Sequence, residues 1–183
     1  IKKIVEILQA GGIILYPTDT VWGIGCDPTN EQAVQKIYDL KRRADSKAML
    51  LLTDSMAKVQ AYVTDVPDVV WDLVECAEKP LTVIYPQGRN LATNLMAQDG
   101  SVGIRITNEA FSKQLCMRFK KPIVSTSANV SGQPTPAFFD EISEEIKAGV
   151  DYIVQARQDD REKKQPSSII KFEKNGTFAI IRE

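Results

Sequence analysis

The 183-residue chain contains no histidine. That removes imidazole bases, Ser-His-Asp triads and histidine-ligated metal centres. Its three cysteines, Cys26, Cys76 and Cys116, are widely separated. They form neither a CxxC pair nor a disulfide framework, and read as small buried or half-buried side chains in a reducing cytosol. An excess of either charge is missing too: 23 Lys+Arg against 24 Asp+Glu leave a net charge of −1. A non-specific nucleic-acid binder carries a basic excess, so bulk electrostatics argue against that class. No apolar run approaches the ~20 residues of a membrane span, so no membrane is expected, and no signal peptide is visible in a sequence that opens on Ile1. Neither a P-loop nor a GxGxxG dinucleotide fingerprint is present; Gly23-Ile-Gly25 is a lone GxG and reads as a tight turn.

What remains is an ordinary globular composition, 43% hydrophobic and 26% charged, in a length that suits one domain over residues 1–183. Ile1, Ile4, Val5 and Leu8 recur at helical spacing until Gly11-Gly12 stops them. A short apolar strand over 12–16 ends at Pro17. Asn30 then caps a helix with Ala33, Val34, Ile37 and Tyr38 on one face. The pattern predicts further strands over 49–52, 81–85, 101–107, 122–127 and 151–154. It predicts helices over 66–76, with Val70, Trp71 and Val74 inward, over 108–119, capped by Asn108, and over 141–148. Along 101–107, Val102, Ile104 and Ile106 share one face while Gly103, Arg105 and Thr107 share the other. Residues 157–166 are polar enough to read as a mobile surface loop. Asn175-Gly176 between apolar runs at 169–172 and 178–182 signals a type I′ hairpin. Strands alternating with helices, closed by that hairpin, predict an α/β fold built on a mixed sheet.

The polar clusters that interrupt this pattern carry the chemistry. The 122–127 strand ends in Ser125-Thr-Ser-Ala-Asn129, small hydroxyl and amide groups at a strand's carboxyl end, where open α/β sheets bind ligands. Pro17-Thr-Asp-Thr20 follows the first strand, and Pro166-Ser-Ser168 leads into Ile169-Ile170. Together with Lys41-Arg42-Arg43 and Lys47 these look like one site assembled from distant segments. Each piece also has a plainer reading. Pro17-Thr-Asp-Thr20 fits an Asx or Ser/Thr turn, and the basic cluster compensates a helix C-terminus. Tyr16 and Trp22 fit the core, and Asp19 alone is thin evidence for Mg²⁺. Arg105 sits mid-strand among apolar neighbours. Its face is either open to solvent or lines a pocket where it meets an anion such as a carboxylate. Ser101, four residues earlier on the same face, can then touch the same ligand.

Taken in order, these motifs resemble the Sua5/YciO/YrdC family. The matching elements are Pro17-Thr-Asp-Thr-Val-Trp-Gly-Ile-Gly25, Lys41-Arg42-Arg43 with Lys47, Val102-Gly-Ile-Arg105, Ser127-Ala128-Asn129 with Ser131-Gly132, and Pro166-Ser-Ser-Ile169 followed by Ile181-Arg182. The resemblance implies a YrdC-like fold: a twisted open mixed sheet flanked by helices, with a concave basic pocket, in a single catalytic domain that lacks the extra C-terminal domain of the longer branch. The implied activity is that of a nucleotidyltransferase, an L-threonylcarbamoyladenylate synthase. It joins L-threonine, bicarbonate and ATP, with Mg²⁺ accompanying the ATP, into threonylcarbamoyl-AMP and pyrophosphate. The adenylate then passes to partner proteins that make N6-threonylcarbamoyladenosine in tRNA, which implies a cytoplasmic location.

Carried over by residue, the resemblance makes Lys41 and Arg43 the catalytic pair that neutralises phosphate charge. Ser101, Ser127, Asn129, Thr135 and Arg182 join them on the ATP side. Thr20, Lys47, Arg105, Ser125 and Ser167 fall on the threonine side, with Arg105 as a carboxylate clamp. The chain departs from the family where a WPGP-like segment becomes Glu78-Lys79-Pro80-Leu81 and where Pro-Leu becomes Ala48-Met49. Other readings stay open: an RNA-binding or non-catalytic paralogue of the same fold, with tRNA itself as partner, or a carbamoyl-transfer relative acting on another acceptor.

Overall fold

The structure, a computed structural model, describes residues 1–43 and 48–183. Among these residues nine strands form one sheet in the order β7-β1-β2-β6-β3-β5-β4-β8-β9. They are β1 (Ile14–Tyr16), β2 (Gly23–Gly25), β3 (Leu50–Thr53), β4 (Leu81–Tyr85), β5 (Val102–Ile106), β6 (Ile123–Ser127), β7 (Tyr152–Ile153), β8 (Ser168–Phe172) and β9 (Phe178–Arg182). The sheet is mixed: β1–β7, β3–β5 and β4–β8 run parallel and the other neighbours antiparallel. The helices are α1 (Lys2–Gln9), α2 (Glu31–Lys41), α3 (Met56–Tyr62), α4 (Asp68–Glu75), α5 (Ala110–Phe119) and α6 (Glu144–Gly149). Helices α3 and α5 pack on β3, α1 packs on α5, and α2 packs on α6. The α/β mixed sheet expected from the sequence is therefore present.

Local chemistry sets the starts of α2, α5 and α6. Asn30 Oδ1 accepts the Ala33 N–H at 3.0 Å and starts α2, as its place before the apolar stripe predicts. At α5 the cap is Glu109 rather than Asn108. Its two carboxylate oxygens accept the Phe111 and Ser112 N–H groups at 3.0 and 2.7 Å. Thr107 Oγ1 takes the Glu109 N–H at 3.1 Å and delays the helix by one residue. The expected 141–148 helix is split into a 3₁₀ turn at Phe139–Glu141 and α6, because Ser143 Oγ caps the Ile146 N–H at 3.4 Å.

Other expectations are corrected. Gly23-Ile-Gly25 is a strand, not a tight turn. The glycines serve close packing: a Cβ on Gly25 would meet Tyr16 Cε1 and the Val124 carbonyl oxygen, each at 2.6 Å. In α4, Val70 is buried but Trp71 is 39% exposed, since α4 makes no extensive contact with another helix or strand among the described residues. Cys26 and Cys116 are buried, whereas Cys76 is exposed just past the end of α4. The hairpin between β8 and β9 exists, but its turn is not type I′. Only Gly176 takes a positive φ (84°), the Gly176 N–H donates to Glu173 O at 3.0 Å, and the Glu173 N–H donates to Thr177 O at 2.8 Å. That is a type I turn closed by a glycine bulge.

Strand registry decides which residues face the helices. Leu51 pairs with Ile104 and Val83 with Ile104. These side chains are buried on the helix side together with Val102, Tyr85 and Val124. The alternate residues point to the opposite face.

Candidate active site

That opposite face is the floor of a cavity of about 700 Å³, within the range of small-molecule sites. Its residues follow one another across the sheet in register. Gly23 on β2 lies opposite Ser127 on β6, and Ser125 opposite Leu50 on β3. Arg105 on β5 lies opposite Thr82 on β4, Thr82 opposite Ile169 on β8, and Ile169 opposite Arg182 on β9. Loops complete the walls: Thr18 and Thr20 after β1, Arg43 and Ala48 before β3, Thr135 to Ala137 after β6, and Lys163, Lys164, Pro166 and Ser167 before β8.

The cavity collects most of the residues singled out from the sequence: Thr20, Arg43, Ser101, Arg105, Ser125, Ser127, Thr135, Ser167 and Arg182 all line it. Lys47 falls outside the described residues. Two expected residues do not line it. Lys41 is 1% exposed, and its ammonium donates to Ser127 O at 2.5 Å and Asn129 O at 2.7 Å. The Ser131 N–H returns to Lys41 O at 2.8 Å. Lys41 thus braces the turn after β6 from beneath. Asn129 spends its amide N–H groups on Val130 O and Gln133 O, at 3.1 and 2.8 Å, shaping the same turn.

Three consecutive basic residues therefore have three destinations. Arg42 takes a left-handed conformation (φ 48°) at the end of α2 and pairs with Glu145 on α6. The Arg43 N–H reaches back to Tyr38 O at 2.9 Å, and this reversal carries the Arg43 side chain into the cavity wall, where Nη2 donates to Ala48 O at 2.9 Å. Burial and the neighbouring Arg43 push the Lys41 ammonium down to about 8. Burial lowers Arg43 as well.

Arg105 resolves the choice left open by the sequence. It is 3% exposed and lines the cavity, and the carboxylate it meets belongs to Asp19. Nε lies 3.1 Å from both Asp19 oxygens, and Nη2 lies 2.8 Å from Oδ1 and 3.2 Å from Thr20 Oγ1. The Pro17-Thr-Asp-Thr20 segment that supplies Asp19 is itself a Ser/Thr turn. Thr18 Oγ1 accepts the Thr20 N–H at 3.1 Å and donates to Val21 O at 2.6 Å. Turn and site are thus the same residues.

The cavity is basic. Among the described residues its charged lining is Arg43, Arg105, Lys163, Lys164, Lys171 and Arg182, with no Asp or Glu. Around them Asp19 balances Arg105, Asp99 lies 3.3 Å from Lys171, and Glu162 pairs with Lys164. Among the described residues Arg182 donates only to Ser167, from Nε to the backbone oxygen at 2.8 Å and from Nη2 to Oγ at 3.3 Å. Among the described residues no group of three or more His, Cys, Asp or Glu side chains could hold a metal ion.

Lys163, Lys164 and Lys171 were not singled out from the sequence. The two in 157–166 belong to the stretch read as a mobile loop. The structure instead ties it down: Arg157, at φ 61°, donates to Thr18 O at 3.1 Å and pairs with Glu109 at 3.1 Å and Asp160 at 2.7 Å. Arg161 pairs with Asp140 at 2.6 Å. A run of charges looks solvated in sequence, and only its long-range partners show that it walls a site.

The family model described as "Telomere recombination" (Sua5/YciO/YrdC) matches residues 6–183. The chain belongs to the Sua5/YciO/YrdC family. A protein of Pseudoalteromonas translucida named threonylcarbamoyl-AMP synthase is 36% identical over 157 residues, covering 84% of each chain. One of the same name from Acinetobacter baumannii is 32% identical over 177 residues, covering 93% of this chain and 92% of its own. In fold, the chain is similar to P. abyssi Sua5 complexed with L-threonine, at a TM-score of 0.82 and 20% identity. That match covers 93% of this chain and 50% of that one, so the chain spans about half the length of that protein. No helix among the described residues is long and apolar enough to cross a membrane.

Proposed function

We propose that the chain is a threonylcarbamoyl-AMP synthase, a nucleotidyltransferase acting on ATP, L-threonine and bicarbonate, and that residues 1–183 act as one catalytic domain. One observation carries the reading: a basic cavity built from every described motif of the family, in a chain 36% identical to a protein of that name. The amine of threonine takes up the carbon of bicarbonate with loss of water, giving a carbamate. A carbamate oxygen attacks the α-phosphorus of ATP, and pyrophosphate leaves with the electrons of the broken P–O bond. Neither step needs an imidazole base. Both need anions held together, and the second needs developing phosphate charge neutralised.

The cavity divides these tasks. Arg43, Lys163 and Arg182 face the triphosphate, with the hydroxyls of Ser101, Ser127 and Thr135 on the nucleotide. Arg105, Thr20, Ser125 and Ser167 receive the amino acid, Arg105 at its carboxylate. Lys41 and Asn129 act from behind, holding the turn that presents Ser127. Asp19 is committed to Arg105, and Mg²⁺ enters with the nucleotide as MgATP. The product adenylate serves threonylcarbamoylation of adenosine in tRNA, through partner proteins, in the cytoplasm.

The test is pyrophosphate release by the purified chain with MgATP and bicarbonate, with and without L-threonine. Threonine-dependent release, with the adenylate seen by mass spectrometry, is expected. A folded chain that binds ATP yet releases no pyrophosphate with threonine overturns the reading.

A further inference from the structure

We propose that Asp19 is a positioning residue for the amino-acid substrate, holding the Arg105 guanidinium so that Nη1 alone is offered to the substrate carboxylate. The proposal rests on the reading above that Arg105 receives that carboxylate. A guanidinium has five N–H groups in a fixed plane and prefers to meet a carboxylate through two nitrogens at once. In this site the two-nitrogen edge made by Nε and Nη2 is already taken. Nε lies 3.1 Å from each Asp19 oxygen, and both Nη2 hydrogens are used, on Asp19 Oδ1 at 2.8 Å and Thr20 Oγ1 at 3.2 Å.

The remaining nitrogen has no acceptor among the described residues, and it is absent from the buried polar atoms that lack a partner. Nη1 is therefore reached from the cavity that Arg105 lines. The side chains of the pair are only 4% and 11% exposed, so Arg105 has little room to swing to another orientation while Asp19 holds it.

Two consequences follow for the substrate. Its carboxylate is gripped by Nη1 with help from hydroxyls on the same wall, Thr20 and Ser125. The Arg105–Asp19 pair is also neutral as a unit, so it adds no net charge to attract a polyanion. Arg182 and Lys163 have no carboxylate partner among the described residues and keep their charge for phosphate. Asp19 thereby sets the angle at which the amino acid is held.

The experiment is L-threonine binding by calorimetry and KM for threonine and MgATP, in wild type, Asp19→Ala, Arg105→Ala and the double variant. Asp19→Ala should weaken threonine binding about ten-fold or more while leaving the MgATP KM within about two-fold. Because Asp19 acts through Arg105, the double variant should bind threonine no worse than Arg105→Ala alone. Asp19→Glu, which restores the carboxylate, should recover most of the threonine affinity. If Asp19→Ala fails to fold, Asp19→Asn keeps the volume and one acceptor oxygen and should show the same selective loss in smaller measure. Additive losses in the double variant, or equal losses toward threonine and MgATP, overturn the proposal while the synthase reading stands. A folded wild-type chain that does not bind threonine overturns the synthase reading and, with it, the role given to Asp19.

Discussion

Arg105 and Arg182 lie on one face of one sheet, yet their situations differ. Arg105, on the central strand β5, is 3% exposed and locked to Asp19. Arg182, on the edge strand β9, stands exposed and donates to Ser167. A central strand is covered by neighbours on both sides, so a charge placed there needs a built-in counter-charge. An edge strand leaves its charge to water, free to meet an anion that arrives later. The first side chain is neutralised and geometrically fixed, and the second is positive and adaptable. A small zwitterion suits the first and a triphosphate the second.

The comparison can be broken by removing each arginine. Arg105→Ala leaves the Asp19 carboxylate buried and unpaired, and should cost about 3–5 kcal/mol of stability in urea denaturation. Arg182→Ala should cost less than about 1 kcal/mol. Equal costs would erase the distinction between the two arginines. Next in size is Arg43→Ala, expected to lower adenylate formation about 100-fold in steady-state turnover while leaving the denaturation midpoint close to wild type.

Lys41→Met keeps the aliphatic bulk but leaves Ser127 O and Asn129 O without their donor. It should cost about 2 kcal/mol by denaturation, because buried acceptors lose their partner. A pH series sharpens the point. Lys41 in the folded chain releases its proton near 8, below the ordinary lysine value. From about pH 8 to 10 the unfolded chain therefore holds more protons than the folded one, and stability attributable to this group rises with pH. The denaturation gap between wild type and Lys41→Met should widen over that window. The smallest effect is Arg182→Ala on catalysis: a few-fold rise in MgATP KM that shrinks as salt is added.

Most elements could be read from the sequence because they rest on local signals. The Asn30 cap, the apolar stripe of α2 and the alternation of β5 each lie within a few residues of their cause. The alternation even placed Ser101, Gly103 and Arg105 on one face before any partner strand was known. What could not be read depends on long-range partners. The glycines of β2 make a strand only because Tyr16 and Val124 crowd Gly25 from two neighbouring strands. Trp71 looked like core by spacing, but nothing in α4's own sequence reveals which side lacks a cover. Lys41 and Arg43 are two residues apart in a basic run, and only the left-handed turn at Arg42 sends one beneath the Ser127 turn and the other into the cavity. Asp19 was visible as a lone carboxylate, while its partner, Arg105, lies 86 residues away.

The division of the cavity is tested most directly by a crystal structure of the chain with L-threonine and a non-hydrolysable ATP analogue. The threonine carboxylate is expected within hydrogen-bond distance of Arg105 Nη1, with Asp19 still on Nε and Nη2, and the phosphates toward Arg43 and Arg182. A threonine carboxylate held by Arg43 or Arg182, or an Arg105 that has left Asp19 to grip it with two nitrogens, would contradict it.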